Sequence, residues 1–326
     1  MTRSLLEIRN LTVRYRPART EAVIALHDIC LEVQTGKVLS ILGESGSGKS
    51  TLAVAALGLL PQSAECAGRV SLDGRDLLQS TPADLRKLRG ARMTLIPQDP
   101  ASALNPVIRV GTQISEVLRA HLPLTRRERK QRVLELLREV GFDDATRIYL
   151  AYAHELSGGQ RQRVMIAQAV ACRPSLIIAD EPTSKLDSTL QAEILALLAN
   201  LVRKNGATLI LITHDPALLT GFADRIAVMY AGHVVEEGSA AEILSAPAHP
   251  YTQALLRLSR IEPEARQANA GKLQTIPGEP PDLIEAHKGC RFEPRCPERM
   301  AVCANTDPHA TMLNPSHCVH CFKYVH

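Results

Sequence analysis

Alternating apolar positions mark the first part of the chain. The alternating sets are Leu11, Val13 and Tyr15, followed by Ile29, Leu31 and Val33. A period of two places each set on one face of a sheet. We therefore predict two early strands, each with one buried face.

Unbroken apolar runs mark further strands: "KVLSIL", "RMTLI", "SLIIAD", "TLILITH" and "RIAVMY". Short runs of this kind are typical of strands buried on both faces. The stretch from Val110 to Gly141, the segment after "LSGGQ" and the segment "STLQAEILALLANLVRKNG" have a helical period instead. Strands that alternate with helices predict an α/β fold with a largely parallel sheet and helices on both sides.

Composition adds limits to this picture. The chain has 326 residues with 45% hydrophobic and 22% charged residues, which suits a soluble protein with room for more than one domain. Aromatic residues make up 3% and tryptophan is absent, so no stacking platform for single-stranded nucleic acid, and no nucleic-acid partner, is predicted. The net charge of +4 permits but does not require an anionic docking surface.

The start of the chain does not resemble a signal peptide, because Glu7 and Arg9 interrupt its apolar residues. No uncharged apolar run approaches the roughly 18 residues that a membrane-spanning helix needs. We therefore expect a reducing compartment, in which disulfides do not persist.

A glycine-rich stretch, "GESGSGKS", follows the strand "KVLSIL" and precedes an apolar helix. It matches the phosphate-binding pattern G-x-x-x-x-G-K-[ST], and this context disfavours a chance glycine turn. Backbone N–H groups of such a loop surround phosphates, the lysine reaches the β- and γ-phosphates, and the serine binds Mg²⁺. The predicted phosphate-binding residues are Gly43, Glu44, Ser45, Gly46, Ser47, Gly48, Lys49, Ser50 and Thr51.

An acidic pair ends the strand "SLIIAD". Asp180 would lie beside the metal ion, and Glu181 would polarise the attacking water. An acidic pair at a strand end is often only a solvated loop, but the phosphate-binding loop upstream favours a catalytic role. The two motifs together predict a nucleoside triphosphatase.

A third motif, "LSGGQ", precedes a predicted helix that begins near Gln160, and a helix N-terminus can bind a second anion. With this motif the chain resembles the ATP-binding subunits of ABC transporters, from about Leu5 to Gly238. The signature residues are Leu156, Ser157, Gly158, Gly159 and Gln160, and the D-loop residues are Ser184, Lys185, Leu186 and Asp187.

The resemblance implies further roles. Gln98 matches the Q-loop glutamine, His214 the switch histidine, and Tyr15 the aromatic residue that stacks on adenine. Glu181, His214 and Gln98 would then be catalytic. Ser50, Gln98 and Asp180 would bind Mg²⁺, and Tyr15, Gln98, Asp180 and His214 would complete the ATP site.

The resemblance also implies an architecture. A cassette of residues 1–246 would combine a RecA-like P-loop core, an antiparallel β-subdomain and an α-helical signature subdomain over about 99–170. ATP would lie between the P-loop of one subunit and the signature of another, so the ATPase would act as a dimer.

Three downstream stretches, "HPYTQALL", "IPGEPPDL" and "GCRFEPRCP", resemble the oligopeptide/dipeptide permease branch, which includes nickel importers. This implies a C-terminal extension over 247–326, with a linker at Ile276–Asp282. It also implies two permease subunits, a second ATPase subunit that is a paralogue or a second copy, and an extracellular substrate-binding protein. The chain would be peripheral, on the cytoplasmic face of the inner membrane.

Two alternatives to peptide import stay open. An importer of the same branch could carry nickel or another small solute. A soluble ABC ATPase of DNA repair or translation is the other, although this chain has neither a long coiled-coil insertion nor a second cassette.

Three positions depart from the branch pattern: Lys185 replaces a small residue, Ala153 a proline, and Gln160 a methionine. We expect Lys185 either to need an acidic partner across the dimer or to be simply solvated.

Five of the eight cysteines lie in the tail segment 289–326, at Cys290, Cys296, Cys303, Cys318 and Cys321. Their spacing suits an iron–sulfur cluster or a structural zinc, and the long gaps favour the cluster. The branch resemblance implies a [4Fe–4S] cluster held by Cys290, Cys296, Cys303 and Cys321, with Cys318 spare.

The tail has few large apolar residues, so we expect it to fold around its metal centre. We also expect its removal before Ile276 to leave nucleotide binding largely unaffected and to weaken subunit pairing or permease attachment. The remaining cysteines, Cys30, Cys66 and Cys172, are predicted to be ordinary packed thiols.

Overall fold

The computed structural model describes residues 3–16, 22–259, 276–281 and 288–325. The chain divides into two compact units. The first comprises Met1–Leu5, Gln34–Lys37 and Gln79–Ile212, and the second comprises Leu6–Val33, Val38–Leu78 and Thr213–His326. Among the described residues, no helix has both the length and the apolar character needed to cross a bilayer.

Twelve strands lie in the described residues. They are β1 Ser4–Tyr15, β2 Val23–Gln34, β3 Val38–Leu42, β4 Ala64–Leu72, β5 Arg75–Asp76, β6 Met93–Ile96, β7 Leu176–Asp180, β8 Thr208–Thr213, β9 Arg225–Tyr230, β10 His233–Ser239, β11 Thr311–Asn314 and β12 His317–Val319.

The same residues contain ten α-helices. They are α1 Lys49–Ala56, α2 Pro82–Leu88, α3 Pro100–Ala103, α4 Val110–His121, α5 Arg126–Glu139, α6 Ala145–Leu150, α7 Gly158–Val170, α8 Ser188–Asn205, α9 Ala240–Ser245 and α10 Pro250–Ser259.

Three parallel strands form the centre of the first unit. β7 lies between β6 and β8, and Leu176 is in register with both Met93 and Thr208. The central strand is buried on both faces, as its unbroken apolar run predicts. α7 packs against β6 and against α3, α4, α5 and α8.

The helical stretch predicted from Val110 to Gly141 consists of two helices. α4 ends before Leu122, which is extended and precedes Pro123, a residue that disfavours a helical predecessor. α5 then begins at a capping box in which the Thr125 side chain and Glu128 satisfy each other's backbone N–H groups. Gly141, at a φ of 89°, follows the last turn as predicted.

An antiparallel sheet in the order β2-β1-β4-β5 forms one part of the second unit. Its inward faces agree with the alternating pattern, because Leu11, Val13, Ile29, Leu31 and Val33 are all buried. The prediction that the other thiols are packed is wrong for Cys30 and Cys66, which are exposed. The alternation that buries Ile29 and Leu31 turns the residue between them outward.

A mixed arrangement forms the other part of the second unit. β3 runs parallel to β9, and β9 pairs antiparallel with β10. β12 of the tail pairs with β10, with Glu237 opposite Cys318, and β11 completes the edge. The tail is therefore joined to the cassette by main-chain hydrogen bonds.

The tail also contributes an aromatic anchor. Phe292 is 1% exposed, and its ring centroid lies 5.2 Å from that of Tyr230, 5.4 Å from Tyr251 and 5.8 Å from His249. The expectation that a metal centre substitutes for a core is therefore incomplete. The other rings come from Tyr230 of the cassette and from Tyr251 and His249, which precede the tail segment, a contribution that the tail's composition does not reveal.

Candidate functional site

The P-loop connects β3 to α1. Lys49 is 5% exposed, and its Nζ donates to the carbonyls of Gly43 at 2.8 Å and Glu44 at 2.7 Å and to Ser47 Oγ at 3.3 Å. The ammonium group is thus held inside the curve of the loop. Ser50, the predicted Mg²⁺ ligand, lies exposed on the first turn of α1.

Two glycines are required here by close packing. A Cβ atom at Gly43 would lie 2.2 Å from the carbonyl oxygen of Met229, and one at Gly48 would lie 2.7 Å from that of Ala25. Gly48 also has a φ of 99°, which strains any other residue. The glycines of the motif therefore let neighbouring strands approach the loop, in addition to leaving N–H groups accessible.

The P-loop is held from outside by two residues that sequence reasoning missed. The main-chain N–H of Glu44 donates to the Tyr251 hydroxyl at 2.9 Å. The Arg295 guanidinium forms a bidentate pair with the Glu44 carboxylate, at 2.9 and 3.3 Å, and its side chain is 4% exposed. In the sequence, these two residues were marked only by lying in the "HPYT" and "RFEPRCP" stretches, which resemble the permease branch. The P-loop thus contacts the tail directly, and truncation of the chain before Ile276 would take away Arg295 but leave Tyr251.

In the first unit, β7 ends at Asp180, and Glu181 follows in the left-handed region at a φ of 44°. Its N–H donates to the Ile212 carbonyl at 2.9 Å. Gln98 Nε2 donates to Glu181 Oε2 at 2.8 Å. The structure therefore brings together two of the three predicted catalytic residues, on a strained turn of a kind that recurs at functional sites.

Lys185 has its acidic partner within the same chain. Its Nζ lies 3.0 Å from Asp99 Oδ1, next to Gln98, and the hydrogen bond lowers the pKa of Asp99. The expected partner across the dimer is therefore not required to balance this charge. The pair connects the D-loop to the segment that holds the Q-loop glutamine.

We expect the Lys185–Asp99 pair to contribute little to stability, because the two side chains are 62% and 38% exposed. A double-mutant cycle with Lys185→Ala and Asp99→Asn should give only a small coupling free energy, and salt should reduce it further. Urea unfolding at low and high salt measures the coupling. A large coupling that salt does not change would show that the pair is more than a surface contact.

α7 begins at Gly158 in the signature, two residues before the start predicted near Gln160. Ser157 is the N-cap, its Oγ accepts from Gln160 N at 3.3 Å, and Gln160 Oε1 accepts from Ser157 N at 3.1 Å. The departure at Gln160 thus completes a capping box. Leu156 and Gly159 are buried, whereas Ser157 and Gly158 are exposed at the helix end.

The remaining predicted residues lie at the ends of strands and helices. Tyr15 is half-buried at the end of β1, and His214 is exposed directly after β8. Asp187, the last D-loop residue, caps α8 by accepting from Leu190 N at 3.0 Å.

The tail thiols fall into two environments. The pKa of Cys290 is raised to about 12, mainly by burial, with contributions from the Cys303 thiol, the Asp307 carboxylate and the Cys321 thiol. Burial likewise raises the pKa of Cys296 and Cys321, with Cys303 adding to both. Burial also raises the pKa of Cys318, but the neighbour that adds to this shift is the Glu237 carboxylate.

A buried carboxylate holds the tail strand at β10. Glu236 is 0% exposed and accepts from the N–H groups of Ala248 at 2.7 Å and His249 at 3.0 Å. His317 Nε2 lies 2.7 Å from Glu236 Oε1. The start of α10 and the start of β12 thus share one anchor.

Comparisons with known proteins agree with these motifs. Residues 26–184 match the family model of ABC transporters, and residues 235–303 match that of the oligopeptide/dipeptide transporter C-terminal region.

Two relatives illustrate the similarity over the whole chain. The chain is 41% identical to the oligopeptide transport ATP-binding protein OppD of Salmonella typhimurium, over 98% of this chain and 94% of the relative. It is 45% identical to the dipeptide transport ATP-binding protein DppD of Haemophilus influenzae, over 94% of this chain and 91% of the relative.

A solved structure agrees in fold. The ATP-binding cassette MJ0796, a dimer bound to ADP and Pi, aligns with a TM-score of 0.65 and 30% identity, over 72% of this chain and 99% of that one.

Proposed function

The chain belongs to the ATP-binding proteins of oligopeptide and dipeptide ABC transporters, which hydrolyse ATP to drive transport, and from this premise we propose that it powers peptide uptake. The observation that carries the proposal is the near full-length similarity to oligopeptide and dipeptide ATP-binding proteins, including the C-terminal region. The P-loop with its enclosed Lys49 supports it.

In the proposed reaction the motifs divide the work of binding and hydrolysing ATP. Lys49 and the P-loop N–H groups bind the phosphates. Ser50, Asp180 and Gln98 would hold Mg²⁺, which would neutralise negative charge on the phosphates. Gln98 also orients Glu181, whose carboxylate takes a proton from the attacking water. His214 stabilises the transferred phosphoryl group, and Tyr15 stacks on adenine.

The signature acts on a second subunit in this proposal. The exposed N-terminus of α7, with Ser157 and Gly158, faces the nucleotide of a partner cassette. The ATPase is then a pair, of this chain with a paralogue or a second copy. It works with two membrane permeases on the cytoplasmic face of the inner membrane, and with an extracellular substrate-binding protein that delivers the peptide.

Reconstitution tests this function. The chain is assembled with its permeases in proteoliposomes, and uptake of labelled di- and oligopeptides is measured with and without ATP. We expect ATP-dependent peptide uptake that Lys49→Ala abolishes. Uptake of nickel without peptide uptake would support the other importer of the branch. ATPase activity without any association with permeases would support a soluble ATPase.

We further propose that Cys290, Cys296, Cys303 and Cys321 hold a [4Fe–4S] cluster. The Cys303 and Cys321 thiols each raise the pKa of Cys290, which supports one shared centre. Loss of the Cys290 proton would add negative charge beside these two thiols, and a bound cation would offset that charge. A Cβ atom at Gly289 would lie 2.2 Å from the Cys303 carbonyl oxygen, so this glycine lets the two ligand segments approach each other.

A four-iron cluster would supply the positive charge that the thiolates need. Among the described residues, the group of three donor atoms within 4.8 Å of one another contains no tail thiol, so the choice between a cluster and zinc rests on the test below.

Metal and sulfide analysis of protein purified without oxygen tests the cluster. We expect iron with acid-labile sulfide, lost when any of the four ligands is changed to serine and kept in Cys318→Ser, the matched control. Stoichiometric zinc without sulfide would replace the cluster with a zinc site. Loss in Cys318→Ser but not in Cys321→Ser would reassign the fourth ligand.

A further inference from the structure

Three side chains from distant parts of the sequence bring their donor atoms together in the second unit. They are His27 in β2, His233 in β10 and Asp307 in the tail. Their donor atoms all lie within 4.8 Å of one another, and no other such group occurs within residues 3–16, 22–259, 276–281 and 288–325. We propose that these residues bind a divalent transition-metal ion of the zinc class without using any tail thiol as a ligand, although Cys290 lines the same small cavity as His233 and Asp307.

The distances approach those of a metal site. His233 Nδ1 lies 3.6 Å from Asp307 Oδ2. In a tetrahedral site with bonds of about 2.0–2.1 Å, nitrogen and oxygen ligands lie about 3.4 Å apart. The donor atom of His27 lies within 4.8 Å of the other two. The three donor atoms would therefore need to move toward a common centre by about 1 Å or less, which small side-chain rotations provide.

The backbone fixes the two histidines relative to each other. The His27 N–H donates to the Gly232 carbonyl at 2.9 Å, directly before His233. Ala231 and Gly232, at φ values of 46° and 83°, form the tight turn in which His233 pairs with Tyr230. The imidazole rings lie 5.0 Å apart at their centroids, tilted by 50°. The main chain thus preorganises the two nitrogen ligands.

The chemistry of the donor set fits the same class of ion. The buried Nδ1 of His27 has no hydrogen-bond partner among the described residues, so a ligand there would satisfy it. Imidazole with carboxylate suits zinc, nickel and copper, and a fourth position stays open for water or a protein ligand. His320 lines the same small cavity as His233 and Asp307, and its imidazole is our candidate for the fourth position.

An ion at this site would cross-link three segments of the second unit. It would join a strand of the antiparallel sheet, a strand of the mixed arrangement and the tail between Cys303 and Cys321. Because the three segments are far apart in sequence, an ion that binds only the folded arrangement stabilises it. The alternative is that His233 and Asp307 form only an ion pair, with His27 stacked on it.

Zinc binding to the full chain, purified without oxygen so that the tail keeps its own metal centre, tests this proposal. Titration calorimetry measures binding, and X-ray absorption at the zinc edge identifies the ligands. We expect one zinc ion per chain with nitrogen and oxygen ligands at about 2.0–2.1 Å, without sulfur, and a higher thermal midpoint. His27→Gln and Asp307→Asn, which preserve side-chain size, should each weaken binding by at least about 10-fold.

His121→Ala is the matched control, since this histidine lies on α4 in the first unit, and it should bind zinc like the wild type. Iron and sulfide should be unchanged in His27→Gln, which separates this site from the tail thiols. Absence of zinc binding, sulfur ligands at about 2.3 Å, or equal affinity in the two variants and the wild type would each overturn the proposal.

Discussion

Replacing Glu181 with glutamine should slow ATP hydrolysis by about 10²–10⁴-fold and leave ATP and Mg²⁺ binding intact. The substitution keeps the shape of the side chain, and an amide oxygen can still accept the hydrogen bond from Gln98 Nε2. The main-chain hydrogen bond that the Glu181 N–H donates to the Ile212 carbonyl is also unaffected. What is lost is the negative charge that draws a proton from the attacking water.

Single-turnover ATPase assays on the assembled transporter measure this effect, and nucleotide titration measures binding separately. The ATP-bound pair of cassettes should accumulate in the mutant, because the step that separates them is slowed. Glu116→Gln is the control, since this carboxylate is 53% exposed on α4 and has no catalytic assignment. Turnover near the wild-type rate in Glu181→Gln with normal binding would assign the proton transfer to another group.

Local patterns predict most of the cassette. A glycine-rich loop between a buried strand and a helix identifies Lys49, and a strand that ends in acidic residues identifies Asp180 and Glu181. The structure places Lys49 inside the loop and Asp180 at the strand end because a few adjacent residues determine these positions, and the roles of the three residues in catalysis stay predictions. The alternating strands succeed for a similar reason, since a period of two is a local property.

Contacts between distant segments were not predictable in this way. Nothing in "GESGSGKS" indicates that its glutamate pairs with Arg295, and nothing near His27 indicates Asp307. Lys185 illustrates the same limit. An unusual lysine suggested a partner outside the chain, but Asp99 supplies the charge from the N-cap of α3. The residue types were visible in the sequence, but the tertiary packing that pairs them was not.

Replacing Arg295 with alanine should weaken ATP binding by about 10- to 100-fold, although this residue lies in the tail. The guanidinium pairs with the Glu44 carboxylate and contacts the Tyr230 hydroxyl at 3.2 Å and the Ile276 carbonyl at 3.2 Å. Charge-assisted hydrogen bonds contribute about 1.5–3 kcal/mol each, so their loss lets the P-loop populate conformations that do not bind phosphate. Nucleotide titration of the full chain measures ATP affinity, thermal unfolding measures stability, and iron analysis checks whether the proposed cluster is affected. Arg299→Ala is the control, because this arginine is 65% exposed and lies 3.7 Å from its partner carboxylate in the same tail. Wild-type ATP affinity in Arg295→Ala would show that the tail contacts the P-loop without supporting its conformation.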